Sequence, residues 1–500
     1  MSRYYVTTAI PYVNASPHLG HALEFVQADV LARSRRLAGD DVRFLSGTDD
    51  NALKNVLAAE VAGVSVAEYV RTHADEFEAL GRTLGLSLDD YIRTSTDPRH
   101  RPGVERLWRA TAASGDLYVR DYEGLYCVGC EQFYQSGDLV EGRCPEHLVA
   151  PEVVAERNWF FRLSRYAGPL LEAIDSGQLR IEPEPRRKEV IAFIRSGLED
   201  ISVSRSTERA RGWGIAVPDD PGQVIYVWYD ALGNYITALG YGTNQTDYRS
   251  WWLDSDHRVH VIGKGILRFH AVYWPAFLLS AGEPLPTAIY VHDYLTIDGA
   301  KISKSSGNII DPADLVADYG TDALRWWLTS DVPTLGETNF TRQRLVDRAN
   351  RDLANGYGNL VNRIGALIDK YRPEGCPPAP TDDPLLDQAA KTRIDVHEAL
   401  DRFDIRAAAL AVRNLIRAAN TYIQHHRPWE QAKADPSRQD FDHTIGCLNS
   451  VVLTIADLLQ IFTPDLAGKA IARIEGTTSD VLFPRLEHKP SDATSHRTDC

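Results

Sequence analysis

The fold of this chain is decided by residues 3–30, which read RYYVTTAIPYVNASPHLGHALEFVQADV. Residues 3–10 are rich in β-branched and aromatic side chains, which favours a strand, and the prolines that follow end it. From Leu19 onward, apolar residues recur at the three- and four-residue spacing of a helix. A strand, a loop and a helix in this order indicate the first unit of a parallel, doubly wound α/β sheet.

The rest of the chain divides by its pattern. Strand-like segments return at 42–45, 259–262 and 288–291, with helical patterns between them. Residues 115–225 carry short strands, a cysteine cluster and Pro-rich turns, which are typical of an insertion. From residue 342 the pattern is helical. We therefore predict a sheet-forming domain at 1–114 and 226–341, an insertion at 115–225, a helical domain at 342–480 and a disordered tail at 481–500.

Composition limits the class of protein. With 500 residues, 44% of them apolar, the chain can form two to four packed domains. No apolar run reaches the roughly 18–20 residues of a membrane span, and no export signal is evident, so we expect a cytoplasmic protein without a membrane partner. The net charge of −15 means that any surface for a polyanion must be locally basic.

The first candidate site is His18-Leu19-Gly20-His21, where the strand has ended and the helix begins. Free backbone N–H groups at a helix start attract phosphate. Two imidazoles could donate hydrogen bonds to charge that grows on a phosphoryl group, and Gly20 would let a nucleotide approach the backbone closely. By themselves, these residues could equally be surface histidines at a helix end.

A second candidate site is KISKS at residues 301–305, which follows an Asp-Gly pair typical of a tight hairpin. Lys301 and Lys304 on a loop could close over a triphosphate and neutralise a leaving pyrophosphate. A solvated basic turn is the alternative for so short a stretch.

The third candidate site is a cysteine cluster. Cys127 and Cys130 form one pair with two residues between them, and Cys144 and His147 form another. This spacing predicts a tetrahedral zinc knuckle with three thiolates and one imidazole. Four protein ligands leave no open position, so we expect one structural Zn²⁺. Three buried thiols are the alternative.

The fourth candidate site lies in the helical domain. Asn359 and Arg363 share a helix face at four-residue spacing, and Asn420 precedes Trp429 by nine positions. Amide and guanidinium groups can bond base edges while an indole stacks on an unpaired base. The alternative is an ordinary helix bundle with solvated arginines.

In this order and on these elements, residues 18–21 and 301–305 resemble the HIGH and KMSKS signatures of class I aminoacyl-tRNA synthetases. Flanking segments are similar to the methionyl-tRNA synthetase family, namely AIPYVN at 9–14, GTD at 47–49, YVWYDA at 226–231 and HAVYWP at 270–275. The resemblance implies a Rossmann-type doubly wound parallel sheet, split by a zinc-binding connective insertion and followed by an all-helical anticodon-binding domain.

The resemblance also implies the roles of individual residues. The methionine pocket would consist of Ile10, Tyr12, Trp228, Ala231, Tyr235 and His270, with Asp49 binding the substrate ammonium. ATP with Mg²⁺ would be bound by His18, Gly20, His21, Lys301 and Lys304, of which the four side chains other than Gly20 would be catalytic. The CAU anticodon of the methionine tRNA would be read by Asn359, Arg363, Asn420 and Trp429.

The implied enzyme forms methionyl-adenylate and transfers methionine to its tRNA, and we expect a monomer. Without the resemblance, the pocket aromatics could be ordinary core residues.

Several positions depart from the family pattern. Asp50-Asn51-Ala52 stands where Glu-His-Gly is typical, Gly265 replaces an aspartate, and Asp293 replaces a glycine. Such changes can retune which ligands fit a site. They motivate one alternative, a paralogous adenylating enzyme for a methionine-like amino acid. The single methionine of the chain motivates another, an inhibitor-resistant second methionyl-tRNA synthetase. A catalytically idle RNA-binding regulator is a third.

Overall fold

The computed structural model of the protein describes residues 2–127, 132–134, 136–145, 148–244, 246–297, 299–301, 310–434, 437–478 and 481–489. The chain forms two compact units. The first unit comprises Met1–Pro17, Ala38–Arg82 and Leu86–His292, and the second comprises His18–Leu37, Thr83–Gly85 and Asp293–Cys500.

The described strands follow one another in chain order. They are β1 (Arg3–Thr8), β2 (Asp41–Thr48), β3 (Asp90–Arg93), β4 (Leu117–Cys127), β5 (Gln132–Tyr134), β6 (Glu152–Phe161), β7 (Arg180–Glu182), β8 (Ile201–Ser202), β9 (Ser204–Ser206), β10 (Ala216–Val217), β11 (Asp220–Ile225), β12 (His257–Gly263), β13 (Ala288–His292), β14 (Leu295–Ile297), β15 (Ala300–Lys301) and β16 (Thr338–Phe340).

The described α-helices are α1 (Leu19–Leu37), α2 (Leu53–Ala62), α3 (Val66–Thr83), α4 (His100–Ala113), α5 (Ala167–Asp175), α6 (Glu184–Arg195), α7 (Val227–Leu232), α8 (Asn234–Thr237), α9 (Thr246–Tyr248), α10 (Trp274–Ala281), α11 (Pro312–Tyr319), α12 (Thr321–Ser330), α13 (Arg342–Ala349), α14 (Asn359–Tyr371), α15 (Pro384–Asp401), α16 (Ile405–His426), α17 (Pro428–Ala434), α18 (Gln439–Phe462) and α19 (Pro464–Ile474). π-Helical turns occur at Arg249–Leu253, Phe269–Tyr273 and Asn350–Gly358.

The first unit is built around a six-stranded parallel sheet in the order β3-β2-β1-β12-β13-β7. The chain runs outward from β1 to β3 and later returns to place β12 on the other side of β1. This order confirms the doubly wound α/β prediction. In such sheets, ligands bind beyond the carboxyl ends of the strands where the order reverses, which here is the end of β1 between β2 and β12.

The segment predicted as an insertion, residues 115–225, does not form one separate module. Strands β5-β4-β6-β8 form an antiparallel sheet, and β10-β11-β9 form a smaller one. Strand β7, however, lies within 115–225 and joins the central parallel sheet through Ile181, which pairs with Ile289. Its three residues are too few to show an alternating pattern, so the sequence around it read as a Pro-rich turn. Part of the predicted insertion therefore belongs to the sheet-forming layer.

The second unit is mainly helical, with a small sheet in the order β15-β14-β16. Helix α1 buries its predicted apolar face here, against α12, α15 and α18. The buried Asp29 carboxylate of α1 pairs with Arg325 of α12 at 2.7 Å. Arg325 also donates to the carbonyls of Leu84 and Phe462, at 3.0 and 2.8 Å. Asp29 also pairs with Arg33 at 2.7 Å, so it keeps a cationic partner if Arg325 is removed. Removing Asp29 instead would leave the buried Arg325 guanidinium without this carboxylate and cost about 3–5 kcal/mol.

Helix α18 is long and apolar enough to cross a membrane by length and composition alone, but 67% of its most apolar window is buried inside the protein. It packs against α15, α16 and α19. Its apolar character is therefore that of a core helix.

The segment 481–489 corrects the prediction of a disordered tail from residue 481. Leu482 is buried, and the backbone of Leu486 exchanges two hydrogen bonds with the Asn350 amide, at 2.7 and 2.9 Å. Lys489 pairs with Asp318 at 2.6 Å. The contacting residues are far apart in the sequence, so no local sequence pattern predicted that this segment would be ordered. Residues 490–500 lie outside the described part of the chain.

Candidate active site

Aromatic rings pack together in the first unit beyond the carboxyl end of β1. The ring centroids of Tyr12 and Trp228 are 5.9 Å apart at 83°, and Trp228 stacks on Phe269 at 3.8 Å. Ile10 packs against the same apolar cluster. Ala231 lies one helical turn after Trp228 on α7, so the two residues share a helix face. The loop after β1 and helix α7 thus meet in one apolar wall.

The polar end of this wall is a phenol and an imidazole. The Tyr235 hydroxyl donates to His270 Nε2 at 2.7 Å, and His270 Nδ1 contacts the Ile266 carbonyl at 3.0 Å. Because a carbonyl only accepts, the ring proton is on Nδ1. Burial lowers the pKa of His270 to about 4, so the ring is neutral at neutral pH. An uncharged aromatic surface of this kind suits a thioether.

His260 supports this pair from β12 and was not predicted. Its Nε2 accepts from the Trp274 indole N–H at 3.2 Å, and its Nδ1 therefore donates to the Thr7 hydroxyl at 2.8 Å. The His260 ring stacks on Tyr235 with centroids 4.0 Å apart, and burial holds its pKa well below the ordinary value. The only signal in the sequence was a histidine inside an apolar strand.

Asp49 places a carboxylate beside this aromatic cluster. It follows β2, is 2% exposed, and forms a parallel bridge with Tyr12. Its N–H donates to the Pro11 carbonyl at 2.9 Å, and its Oδ1 accepts the Asn51 N–H at 3.2 Å. A buried carboxylate fixed in this way can form a charge-assisted hydrogen bond with an amine. We call Tyr12, Asp49, Trp228, Tyr235 and His270 the amino-acid pocket.

The two signature histidines belong to the second unit, at the start of α1. Their rings stack at 3.8 Å and 16°. The Nδ1 atom of His18 accepts the Gly20 N–H at 3.1 Å, and that of His21 accepts the His18 N–H at 3.0 Å. Both rings therefore carry a proton on Nε2, which can be donated to a phosphoryl oxygen. A Cβ at position 20 would lie 3.0 Å from His18 Cε1, so a larger residue there would crowd the His18 ring.

The second signature is described only in part. Strand β15 pairs antiparallel with β14 through Lys301 and Thr296, and Gly299 has φ +78°. The predicted hairpin is therefore present in the backbone. The side chain of Lys301 and the whole of Lys304 lie outside the described residues. Just before the hairpin, Asp293 accepts the Gly336 N–H at 2.6 Å, so this departure from the family pattern has a structural partner.

Two of the four predicted zinc ligands are described. Cys127 and Cys144 are both buried and share a small cluster with Tyr134. Cys130 and His147 lie outside the described residues, and within the described ranges no three metal-type side chains form a group. Two buried thiols brought together from distant positions suit a thiolate-rich tetrahedral site, because Zn²⁺ prefers sulfur and imidazole ligands.

The predicted base-reading residues Asn359, Arg363, Asn420 and Trp429 all lie in the second unit, and we call this set the anticodon face after its predicted role. The Arg363 guanidinium lies 5.3 Å from the centroid of the Trp429 ring. The Asn420 amide donates to the carbonyls of Gly356 and Ile416, at 3.0 and 2.9 Å. Asn359 opens α14 and is exposed. The four side chains thus come from α14, α16 and α17.

Two family models match the chain. The model described as tRNA synthetases class I (M) matches residues 4–150 and 147–365. The model described as the anticodon binding domain of methionyl tRNA ligase matches residues 372–491. Together they cover both the sheet-forming and the helical parts.

Individual proteins match over nearly the whole chain. The methionine–tRNA ligase of Caldanaerobacter subterraneus is 40% identical over 97% of this chain and 79% of its own length. That of Rickettsia bellii is 39% identical over 97% and 94%. The solved structure of Mycobacterium tuberculosis methionyl-tRNA synthetase in complex with methionyl-adenylate superimposes with a TM-score of 0.89 at 38% identity and covers 97% of each chain. This chain is therefore a member of the methionyl-tRNA synthetase family of class I.

Proposed function

We propose that this protein activates methionine with ATP and transfers it to the methionine tRNA. The amino-acid pocket carries the proposal. It offers a neutral phenol–imidazole pair beside stacked aromatic rings for the side chain, and the Asp49 carboxylate for the ammonium group. The relatives named above are methionine–tRNA ligases, and one of them was solved with methionyl-adenylate.

In the first step, the methionine carboxylate attacks the α-phosphate of ATP in line, and pyrophosphate leaves. His18 and His21 donate their Nε2 protons to the phosphoryl oxygens as charge develops there. Lys301 and Lys304 neutralise the pyrophosphate, and Mg²⁺ arrives with ATP. In the second step, a hydroxyl of the terminal tRNA ribose attacks the acyl carbon, and AMP leaves. Positioning and charge stabilisation carry both steps, with no covalent enzyme intermediate.

The zinc knuckle is part of the proposal. Cys127, Cys130, Cys144 and His147 would hold one structural Zn²⁺, which would cross-link two turns of the insertion. Elemental analysis of the purified protein should give one zinc per chain, and Cys144→Ser should lower that ratio. A full-length protein that is folded and zinc-free in the presence of added zinc would contradict the assignment.

The anticodon face would read the tRNA. Arg363 and Trp429 would bond and stack on unpaired bases, while Asn359 and Asn420 would contact base edges. We propose that the enzyme works in the cytoplasm as a monomer. The comparisons do not favour the paralogous adenylating enzyme, because the matched proteins are methionine–tRNA ligases, and nothing in them favours the resistant second copy.

Amino-acid-dependent exchange of pyrophosphate into ATP tests the function. We expect exchange with methionine, weaker exchange with homocysteine and norleucine, and charging of purified methionine tRNA. Strong exchange with another amino acid, or exchange without charging, would replace the proposal with the adenylating paralogue. The absence of exchange with any amino acid would favour an idle RNA-binding protein.

A further inference from the structure

A buried carboxylate lies directly behind the amino-acid pocket. Asp230 is 1% exposed and sits on α7, between Trp228 and Ala231. One of its oxygens accepts the Asn51 amide at 2.7 Å, and the other contacts His100 Nε2 at 2.5 Å. A carboxylate only accepts, so both partners donate. Because the group is buried, these two donors replace the hydrogen bonds that water would otherwise make to its oxygens.

Asn51 contacts both sides of the pocket. Its backbone N–H donates to Asp49 Oδ1 at 3.2 Å, and its side chain donates to Asp230 Oδ2 at 2.7 Å. One residue thus connects the carboxylate proposed for the substrate ammonium to the helix that carries Trp228. Asn51 is also a position at which this chain departs from the family pattern.

We infer that Asn51 is a positioning residue that sets the separation between the Asp49 carboxylate and the Trp228 wall, and thereby the length of amino acid that the enzyme selects. The inference deepens the proposed function and rests on it. If the ammonium binds Asp49 and the side chain packs on Trp228, as in the proposed function, a shift of the loop after β2 relative to α7 would change which length of amino acid fits. Asn51 itself does not touch the reacting atoms.

His100 makes the connection rigid from a third element. It is fully buried at the start of α4, and its Nδ1 atom lies 2.8 Å from the Thr237 hydroxyl of α8. Because His100 fixes one oxygen of Asp230, the direction in which the other oxygen can accept a hydrogen bond is also fixed. The Asn51 amide donates along that direction, so a longer or shorter side chain, or one without an N–H group, could not replace it without a shift of the backbone.

The test uses the full-length enzyme and pyrophosphate exchange, normalised to active sites. In Asn51→Ala we expect the KM for methionine to rise about tenfold while the KM for ATP changes by less than about twofold, since only amino-acid positioning is disturbed. The kcat/KM preference for methionine over homocysteine should fall by about fivefold or more, because chain-length discrimination depends on the fit of a single methyl-sized group.

A swap of the two partners separates positioning from packing. Asn51→Asp places a second carboxylate against Asp230 and should weaken methionine binding more than Asn51→Ala does. Asn51→Asp combined with Asp230→Asn restores an N–H···O bond in the reverse direction and should recover most of the methionine preference. A double variant no better than the sum of its single changes would overturn the inference.

Asn158→Ala is the matched control. Asn158 is also buried, and its amide donates to the Glu156 carboxylate at 3.2 Å, on β6 of the insertion. The Asn158→Ala variant should have a lower melting temperature than the wild type but an unchanged KM for methionine. If Asn51→Ala behaves in the same way, Asn51 is merely structural and the inference fails. If instead the wild-type enzyme shows no methionine-dependent exchange, the proposed function itself fails.

Discussion

The amino-acid pocket and the anticodon face differ in burial, and the roles proposed for them require opposite modes of recognition. In the pocket, Tyr235 and His270 are buried and already hydrogen-bonded to each other. On the face, Arg363 and Trp429 remain partly exposed and meet through a cation–ring contact. A buried, neutral pocket discriminates by shape and by the cost of unpaired polar groups. An open face of aromatic and charged side chains binds RNA by stacking on its bases and by attraction to its phosphates, and salt weakens the second term.

The largest effect on the amino-acid pocket is expected for Asp49→Ala. Removing the buried carboxylate leaves the substrate ammonium unpaired, which should cost about 3–5 kcal/mol, or roughly 10²–4 × 10³-fold in kcat/KM for methionine. Pyrophosphate exchange measures the loss. Asp116→Asn is the control, because Asp116 is another buried aspartate of the first unit and accepts from Tyr166 and Ser280. An Asp49→Ala enzyme with normal methionine kinetics would remove the ammonium role.

The neutral state of His270 gives a pH test. Its folded pKa of about 4 lies below the ordinary value of 6.5, so the unfolded chain binds the proton more strongly between these values. Stability should therefore be complete above about pH 6.5 and fall as the pH drops toward 4, by about 3 kcal/mol from this residue.

Urea unfolding from pH 7 to pH 4 measures this dependence. His270→Gln, which cannot titrate in the range, should show a shallower fall than the wild type. Equal slopes in the two proteins would mean that His270 does not contribute to the pH dependence.

On the anticodon face, Trp429→Ala should lower kcat/KM for tRNA by about tenfold, since stacking of one base contributes about 1–3 kcal/mol. Methionine-dependent exchange without tRNA should stay unchanged. Trp429→Phe keeps an aromatic ring and is the control. Added salt should weaken charging through KM for tRNA while leaving exchange nearly constant. Loss of exchange in Trp429→Ala would show that the contrast between the regions is false.

The smallest effect is expected for Tyr235→Phe. The variant keeps the ring that stacks on His260 but removes the donor to His270 Nε2. The loss of one buried hydrogen bond should cost about 1 kcal/mol and raise the KM for methionine about fivefold. Tyr357→Phe removes a comparable buried bond, to the Val452 carbonyl at 3.0 Å, and should leave that KM unchanged.

The local features of the sites could be predicted from the sequence. The helix that begins at Leu19 and the hairpin around Gly299 both rest on signals within a few residues, and both are present. The contact of Arg363 with Trp429 was not predicted, because the two residues lie on different helices. His260 was missed, because its partners Thr7 and Trp274 lie on other elements and a lone histidine in an apolar strand does not indicate them.

By itself, the sequence determined the doubly wound sheet, the positions of the two signatures and the residue types of the pocket, because strand, helix and turn preferences act over short stretches of chain. Only the tertiary structure decided that β7 joins the central sheet and that Asn51 reaches Asp230, 179 residues away. Such partners meet because the order of strands brings remote loops to one edge, and their hydrogen bonds leave no periodic trace in the sequence.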